Sequence, residues 1–234
     1  MKKYLPQILL FFLVSVLVVC TPNELRAGTM SSFTIEQEKA GQRWEIMGEF
    51  ERSWVSMTAA NNYISWINTT WGGNISKINT ADGFSMRAIY RITPIIGVGL
   101  GYERFWAEAS GSHSMGSYKM ETSADGALAI FSVRYPVAAS RFLFNGEFAL
   151  GYYFANLKES ENSWAQQGDD AAPGFRIEGK INFAVTKIFS IAAGGGYRYL
   201  KMDDFGINFF SPGHPKAELD YSGWFAGGGI SIGW

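Results

Sequence analysis

The residues of this chain with the most specific chemistry are acidic and basic side chains at even spacings. Glu45, Glu49 and Glu51 follow this pattern, and so do Arg87 and Arg91. Successive side chains of a β-strand point to opposite faces, so residues an even number apart share a face. Charged groups on a buried face either pair with one another or line a path for ions. The residues assigned to such inward faces are Glu45, Glu49, Glu51, Arg87, Arg91, Glu103, Asp125, Arg134, Glu147, Arg176, Glu178, Lys180 and Arg198.

The two histidines of the chain are the next candidates for chemistry. His113 stands between Ser112 and Ser114, and His214 lies in a second polar segment. Catalysis by a serine nucleophile needs a base that a third group orients, and neither segment indicates such a group. Two loop histidines also offer too few ligands for a metal site. We therefore expect no catalytic, cofactor or metal site and no enzyme activity.

The charged residues belong to segments with a period of two, of which residues 82–109 are the clearest. Two arms flank a turn at Thr93, Pro94 and Ile95, and Pro94 suits a turn because it has no N–H to donate. One face of each arm is apolar, and the other carries glycine, serine and charge. Such strands fit a soluble sandwich that buries the apolar face, or a membrane barrel that turns it to lipid.

The composition favours the barrel. The chain has 234 residues, 27 of them glycine, and 16% of its residues are aromatic. Glycine-rich strands with aromatic residues near their ends are typical of membrane barrels. The formal net charge is only −1, so there is no basic surface for nucleic acid and we expect no nucleic-acid partner.

The N-terminus predicts export. Residues 1–28 begin with Lys2 and Lys3, continue with an apolar run from Leu5 to Val19 and end on small residues, as a secretory signal peptide does. Residues 29–43 are polar and predict a periplasmic lead-in, and residues 44–234 form the predicted barrel. The chain has one cysteine, Cys20, so no disulfide framework supports the fold.

Eight strands can be read from the alternation, and their connections are alternately long and short. We predict an all-β fold, an eight-stranded antiparallel up-and-down transmembrane β-barrel. The strands are 44–54, 82–92, 96–107, 122–135, 141–155, 174–185, 189–202 and 217–234. The predicted polar loops are 55–81, 108–121, 156–173 and 203–216.

The last strand carries the most specific signal. Ile230, Ile232 and Trp234 alternate with small residues, and the chain stops on the aromatic one. Here the chain resembles bacterial outer-membrane β-barrel proteins of the small eight-stranded OmpA/OmpX-like type, most of which end in Phe. The resemblance implies that Ile230, Ile232 and Trp234 form the signal that the barrel-assembly machinery reads. It also implies a Gram-negative outer-membrane location, periplasmic chaperones as partners, and contact with outer-membrane lipids and lipopolysaccharide.

The expected function is a structural or surface-interaction role carried by four extracellular loops. The interior of an eight-stranded barrel is just wide enough for side chains to fill it, so we expect a structural plug of charged residues rather than an ion path. A three-residue turn at 93–95 places Arg87 opposite Gly101 and diagonal to Glu103, which we expect to be its partner.

Two other functions stay open. Leu128, Ile130 and Phe225 point inward by alternation, and an apolar interior would suit a narrow OmpW-like channel for small hydrophobic molecules. A lipid-modifying outer-membrane enzyme is the less favoured alternative. In the first loop, Tyr63, Trp66 and Trp71 either stack on an extracellular ligand or rest on the barrel rim.

Overall fold

The computed structural model describes residues 43–137, 141–209 and 216–234. In them the chain forms long strands, one helix and a pair of short strands. The strands are β1 (Trp44–Val55), β2 (Thr80–Arg91), β3 (Ile96–His113), β4 (Gly116–Pro136), β5 (Phe142–Glu161), β6 (Trp164–Ala184), β7 (Phe189–Tyr199), β8 (Lys201–Met202), β9 (Leu219–Asp220) and β10 (Gly223–Gly233), and the helix is α1 (Thr58–Trp71).

The eight long strands close into a barrel in the order β1-β10-β7-β6-β5-β4-β3-β2. All neighbours are antiparallel, and β1 pairs with both β2 and β10, so the ring has no free edge. The predicted all-β, eight-stranded antiparallel barrel is therefore confirmed. The strands β8 and β9 pair with each other outside the ring.

The outer wall of the barrel is apolar because alternate residues of each strand face outward. Phe50 is 76% exposed and Leu100 is 73% exposed, whereas their strand neighbours are buried or nearly so. Aromatic residues lie toward both ends of this surface, among them Trp44, Trp106 and Trp224. An apolar surface of this extent suits lipid rather than water. In the described residues, no helix combines the length and apolarity needed to cross a membrane.

Two predicted polar loops prove to be strands. Residues 108–121 continue β3 and β4 to a tight turn at Ser114 and Met115, and residues 156–173 continue β5 and β6 to a turn at 162–163. The prediction was wrong because these extensions face water outside, so their outward residues are polar and the lipid-facing signature is lost. Their inward residues, such as Tyr118 and Leu157, keep the period of two.

The predicted loop 55–81 is also wrong in part, since it contains α1. Ala60, Tyr63, Ile64 and Ile67 are its buried residues, at the spacing of one helix face. The helix ends at Gly72, whose φ of 64° lies in the left-handed region that favours glycine. The many polar residues of this stretch lie on the opposite face and conceal the pattern.

The helix, the extended hairpins and residues 200–209 and 216–222 enclose an apolar core, and we call these elements together with their core the cap. β7 ends at Tyr199 and β10 begins at Gly223, so the predicted strands 189–202 and 217–234 are each shorter in the ring. Buried residues of the cap include Met57, Ala60, Tyr63, Ile64, Ile67, Phe105, Tyr118, Met120, Leu157, Leu200, Met202, Phe205, Phe209, Leu219 and Tyr221.

Apart from Arg43, the predicted signal peptide 1–28 and lead-in 29–43 lie outside the described residues. Both stay predictions.

Candidate functional site: the charged lumen

Glycine alternates with long charged side chains at several inward positions of the lumen wall. Inward positions of β3, β7 and β10 include Gly101, Gly194 and Gly229. A Cβ atom added at Gly194 would lie 2.5 Å from Lys180 Cγ, and one at Gly101 would lie 3.3 Å from Arg87 Cγ. Glycine at these positions therefore gives the long side chains of neighbouring strands room to cross the lumen.

The structure brings twelve of the thirteen predicted inward charges together inside the barrel. Each is at most 7% exposed, and each forms at least one ion pair. Six are acidic and six are basic, so the set is neutral: Glu45, Glu49, Glu51, Glu103, Glu147 and Glu178 face Arg87, Arg91, Arg134, Arg176, Lys180 and Arg198.

The layer nearest the short turns is centred on Glu45. Its Oε2 atom accepts from Arg91 Nη2 at 2.8 Å and also from Arg134. Arg91 Nη1 donates to Ser132 Oγ at 3.0 Å. Glu45 on β1 is thereby joined to the neighbouring strand β2 and, across the lumen, to β4.

The middle layer is centred on Arg87. Its Nη1 lies 2.7 Å from carboxylate oxygens of Glu147 and Glu178, and its Nη2 lies 2.8 Å from Glu49. Lys180 Nζ joins the layer at 3.0 Å from Glu147. Arg87 lies opposite Gly101, as predicted.

The predicted pairing of Arg87 with Glu103 is wrong. The Arg87 side chain extends across the lumen to β5 and β6 rather than along the adjacent strand β3, because the small residue opposite it leaves that way open. Cross-lumen distances are set by the closed ring and cannot be read from one hairpin.

The upper layer joins two arginines to two glutamates. Arg176 Nη1 lies 2.6 Å from oxygens of Glu51 and Glu103, and Arg198 pairs with the same two carboxylates. The Tyr153 hydroxyl donates to Glu103. The Arg176 guanidinium also lies 4.0 Å from the ring centroid of Phe225, a distance at which cation–π attraction operates.

Asp125 is the predicted inward charge that the structure places outside. It accepts a hydrogen bond from the Tyr102 hydroxyl and lies 3.8 Å from Arg104 on the outer wall. Odd-numbered residues of β4 face outward in this region, so Asp125 shares a face with Ala127, and assigning it to the inner face was an error. Leu128 and Ile130 are buried.

The ion pairs of the lumen connect strands that are not neighbours in the ring. The gap bordered by Arg87, Ile130, Glu147, Arg176 and Glu178 has no room for a water molecule. Arginine stays charged at any physiological pH, so its pairs persist. Above the upper layer, the apolar core of the cap fills the interior.

The remaining candidate residues lie in the cap. His113 is buried; its Nδ1 accepts from the Met115 amide at 3.2 Å, and its Nε2 lies 3.3 Å from Glu161. Tyr63 stacks on Phe209 with ring centroids 4.8 Å apart. These aromatic and imidazole rings pack inside the cap instead of forming an open loop or resting on the barrel rim.

Within the described ranges, no group of three or more His, Cys, Asp or Glu residues is arranged to hold a metal ion. His214 lies outside the described residues. The absence of catalytic and cofactor sites stays a prediction.

No protein-family model and no curated protein matches this chain. Among solved structures, the outer membrane protein OprG from Pseudomonas aeruginosa is similar, with a TM-score of 0.55 and 14% sequence identity over 83% of this chain and 98% of that one. The chain has the fold of the small eight-stranded outer-membrane β-barrels. The resemblance inferred from the last strand is confirmed at the level of the fold.

Two other solved structures are similar over most of their length. Neisserial surface protein A matches with a TM-score of 0.49 and 16% identity over 82% of this chain and 97% of that one. Ail, the attachment invasion locus protein of Yersinia pestis, matches with a TM-score of 0.45 and 14% identity over 81% and 98%.

Proposed function

We propose that this protein is a non-conducting barrel of the Gram-negative outer membrane whose working surface is the cap. The apolar outer wall suits a lipid environment. Because the number of strands is even, the start of β1 and the end of β10 both lie at the end of the barrel that carries the short turns. The Trp234 amide donates to the Trp44 carbonyl at 3.0 Å, which joins the first and last strands there. With this end in the periplasm, the cap faces the cell exterior.

The observation that carries the proposal is the closed lumen. Six acidic and six basic side chains neutralise one another in it, and the gap at its centre has no room for water. A water-filled pore needs more strands, about 16 in porins. With a folded cap above this plug, the geometry best supports a role at the outer surface of the cell. That role is either structural or the binding of a partner by the cap.

The experiment is planar-bilayer recording of the refolded wild-type protein beside Arg87→Ala. We expect no steady conductance from the wild type and a small rise from the variant, because the substitution removes the centre of the middle layer. Arg52→Ala, which alters an ion pair on the outer wall, is the matched control and should behave as the wild type. Large, steady conductance from the wild type would overturn the plug.

The second candidate is a narrow channel for small hydrophobic molecules. Buried apolar residues that face the lumen, including Leu128 and Ile130, favour it, although in this conformation they belong to the same closed apolar cluster as the cap residues. Saturable binding of a small apolar fluorescent dye to the barrel in lipid vesicles, lost in Leu128→Arg, would support transport. Binding that Leu128→Arg leaves unchanged would argue against it.

The assembly role proposed for Ile230, Ile232 and Trp234 has its own test. The Trp234 side chain is on the outer wall, so it contributes little to the interior. We expect Trp234→Asp to lower the amount of folded protein in the outer membrane of cells, while the purified variant still refolds in detergent. Normal cellular levels of the variant would contradict recognition by the assembly machinery.

A further inference from the structure

The cap contains a buried carboxyl group that has no role in the lumen. Glu159 lies on β5, five residues beyond Phe154 and above the apolar outer wall, and its side chain is fully buried. The Tyr118 hydroxyl of β4 donates to it at 2.6 Å, and Gln166 Nε2 of β6 donates at 2.7 Å. The Tyr63 hydroxyl of α1 also faces it.

The same group reaches a fourth part of the cap through its partners. Gln166 Nε2 also donates to the Asn208 carbonyl at 2.8 Å, and the Tyr63 ring stacks on Phe209. Glu159 therefore connects both extended hairpins, the helix and the segment that follows β8. These parts are distant in sequence, and side-chain contacts hold them together.

Burial of Glu159 favours its neutral form and outweighs the hydrogen bonds from Tyr118, Gln166 and Tyr63, which favour the ionised form. Among the described residues, no Lys or Arg lies within ion-pair distance of it, and the titratable groups that face it are Tyr63, Tyr118 and Glu161. Behind Glu161 stands His113, at 3.3 Å. Burial, reinforced by the charge of Glu161, raises the pKa of Glu159 to about 7. Burial also raises the pKa of Tyr118, whose hydroxyl therefore remains a donor.

We propose that Glu159 stabilises the closed cap in a proton-dependent way. It holds the four parts of the cap together when it is protonated and destabilises the closed cap when it is ionised. Because the pKa is raised in the closed cap, the stabilisation is complete below the ordinary value of 4.5 and is lost as the pH rises to about 7. The cap is then tightest in acidic surroundings. This regulation goes beyond the proposed function and holds whether or not the lumen conducts.

The test is amide hydrogen exchange of the refolded full-length barrel between pH 5 and 8, corrected for the intrinsic pH dependence of exchange. We expect the opening equilibrium of α1 peptides to rise by up to about tenfold per pH unit between pH 5 and 7 and then to level off. Peptides of β1 and β10, in the barrel wall, should show no such change.

The decisive variant is Glu159→Gln, which keeps the shape of the side chain and cannot ionise. Its α1 peptides should exchange with the same low opening equilibrium at every pH. Glu121→Gln, on the outer face of β4, is the matched control and should follow the wild type. Wild-type protection that does not change with pH, or a Glu159→Gln variant that keeps the wild-type change, would overturn the proposal.

A second variant covers the case in which Glu159→Gln does not assemble. Tyr118→Phe keeps the ring but removes a hydrogen bond that lowers the pKa of Glu159. The midpoint of the pH transition should therefore move to higher pH. An unchanged midpoint would also overturn the proposal.

Discussion

The lumen and the cap are both shielded from water, yet they are filled by opposite chemistry. In the lumen, twelve charged side chains from β1 to β7 neutralise one another, and glycines on β3, β7 and β10 leave room for them. In the cap, Ile64, Ile67, Phe105 and Leu157 meet in an apolar core. The closed ring fixes the position of every charge, so each has a partner at a set distance. The cap is not held by a closed hydrogen-bonded ring. It depends on the burial of apolar side chains, which does not require contacts in particular directions.

This difference predicts two modes of failure. Removing one member of a buried ion network leaves its partners charged and unpaired, and the cost falls on the whole ring. Removing an apolar group from the cap weakens only the contacts of that core, so the cap should open while the barrel stays closed.

The largest effect is expected from Arg87→Ala. It leaves Glu49, Glu147 and Glu178 with Lys180 as their one remaining common partner, and we expect the free energy of unfolding to fall by about 4 kcal/mol. Urea titration of the barrel folded in vesicles measures this. Arg52→Ala breaks an exposed pair with Asp82 and should leave the free energy of unfolding nearly unchanged. Equal effects of the two variants would mean that the lumen network is not a structural unit.

The next effect is expected in the cap. Ile64→Ala removes a fully buried side chain from α1 and should destabilise the closed cap by about 3 kcal/mol. Hydrogen exchange of α1 peptides measures this, and the electrophoretic mobility of the unheated barrel should not change. Asn62→Ala, on the exposed face of the same helix, is the control. Loss of the folded barrel in Ile64→Ala would show that cap and barrel do not fail separately.

The smallest effect tests the inward glycines of the lumen. In Gly194→Ala the new methyl carbon would lie 2.5 Å from Lys180 Cγ and closer still to the Gly179 carbonyl oxygen, and we expect a loss of about 2 kcal/mol. Gly146→Ala is matched to it, since a methyl group at Gly146 meets no atom within 4 Å. Urea titration measures the free energy of unfolding of both variants. A loss of stability in Gly146→Ala as large as in Gly194→Ala would show that lack of space at Gly194 is not the cause.

The strand pattern was readable where the two faces of a strand meet different surroundings. β1, β2 and β10 contrast lipid with lumen, so Phe50 and Glu51 or Ile230 and Ser231 differ clearly, and the bounds of β1 and β2 and the end of β10 were predicted closely. Beyond the lipid, β3 to β6 expose their outer faces to water. There the contrast between a polar outside and small inward residues such as Ala109 was too weak to be recognised.

The helix was missed for a related reason. α1 carries its apolar residues at helical spacing, but Asn61 and Asn68 made the stretch look like a loop. Both asparagines bind the backbone of the segment that follows the helix. The Asn61 amide bonds to the backbone of Ile78 at 2.8 Å, and Asn68 bonds to Ile75 at 2.9 Å. Their partners follow the helix and approach it only in the folded cap.

The sequence by itself determined the eight-stranded barrel and the charges of its interior apart from Asp125, because both follow from a period of two that is local to each strand. Only the tertiary structure decided which charges pair, since Arg87 meets Glu147 and Glu178 across a closed ring and not Glu103 on the next strand. It also decided the cap, where Tyr63, Tyr118, Glu159 and Gln166 come together from separate segments. Contacts of this kind depend on distances through space, which no local periodicity encodes.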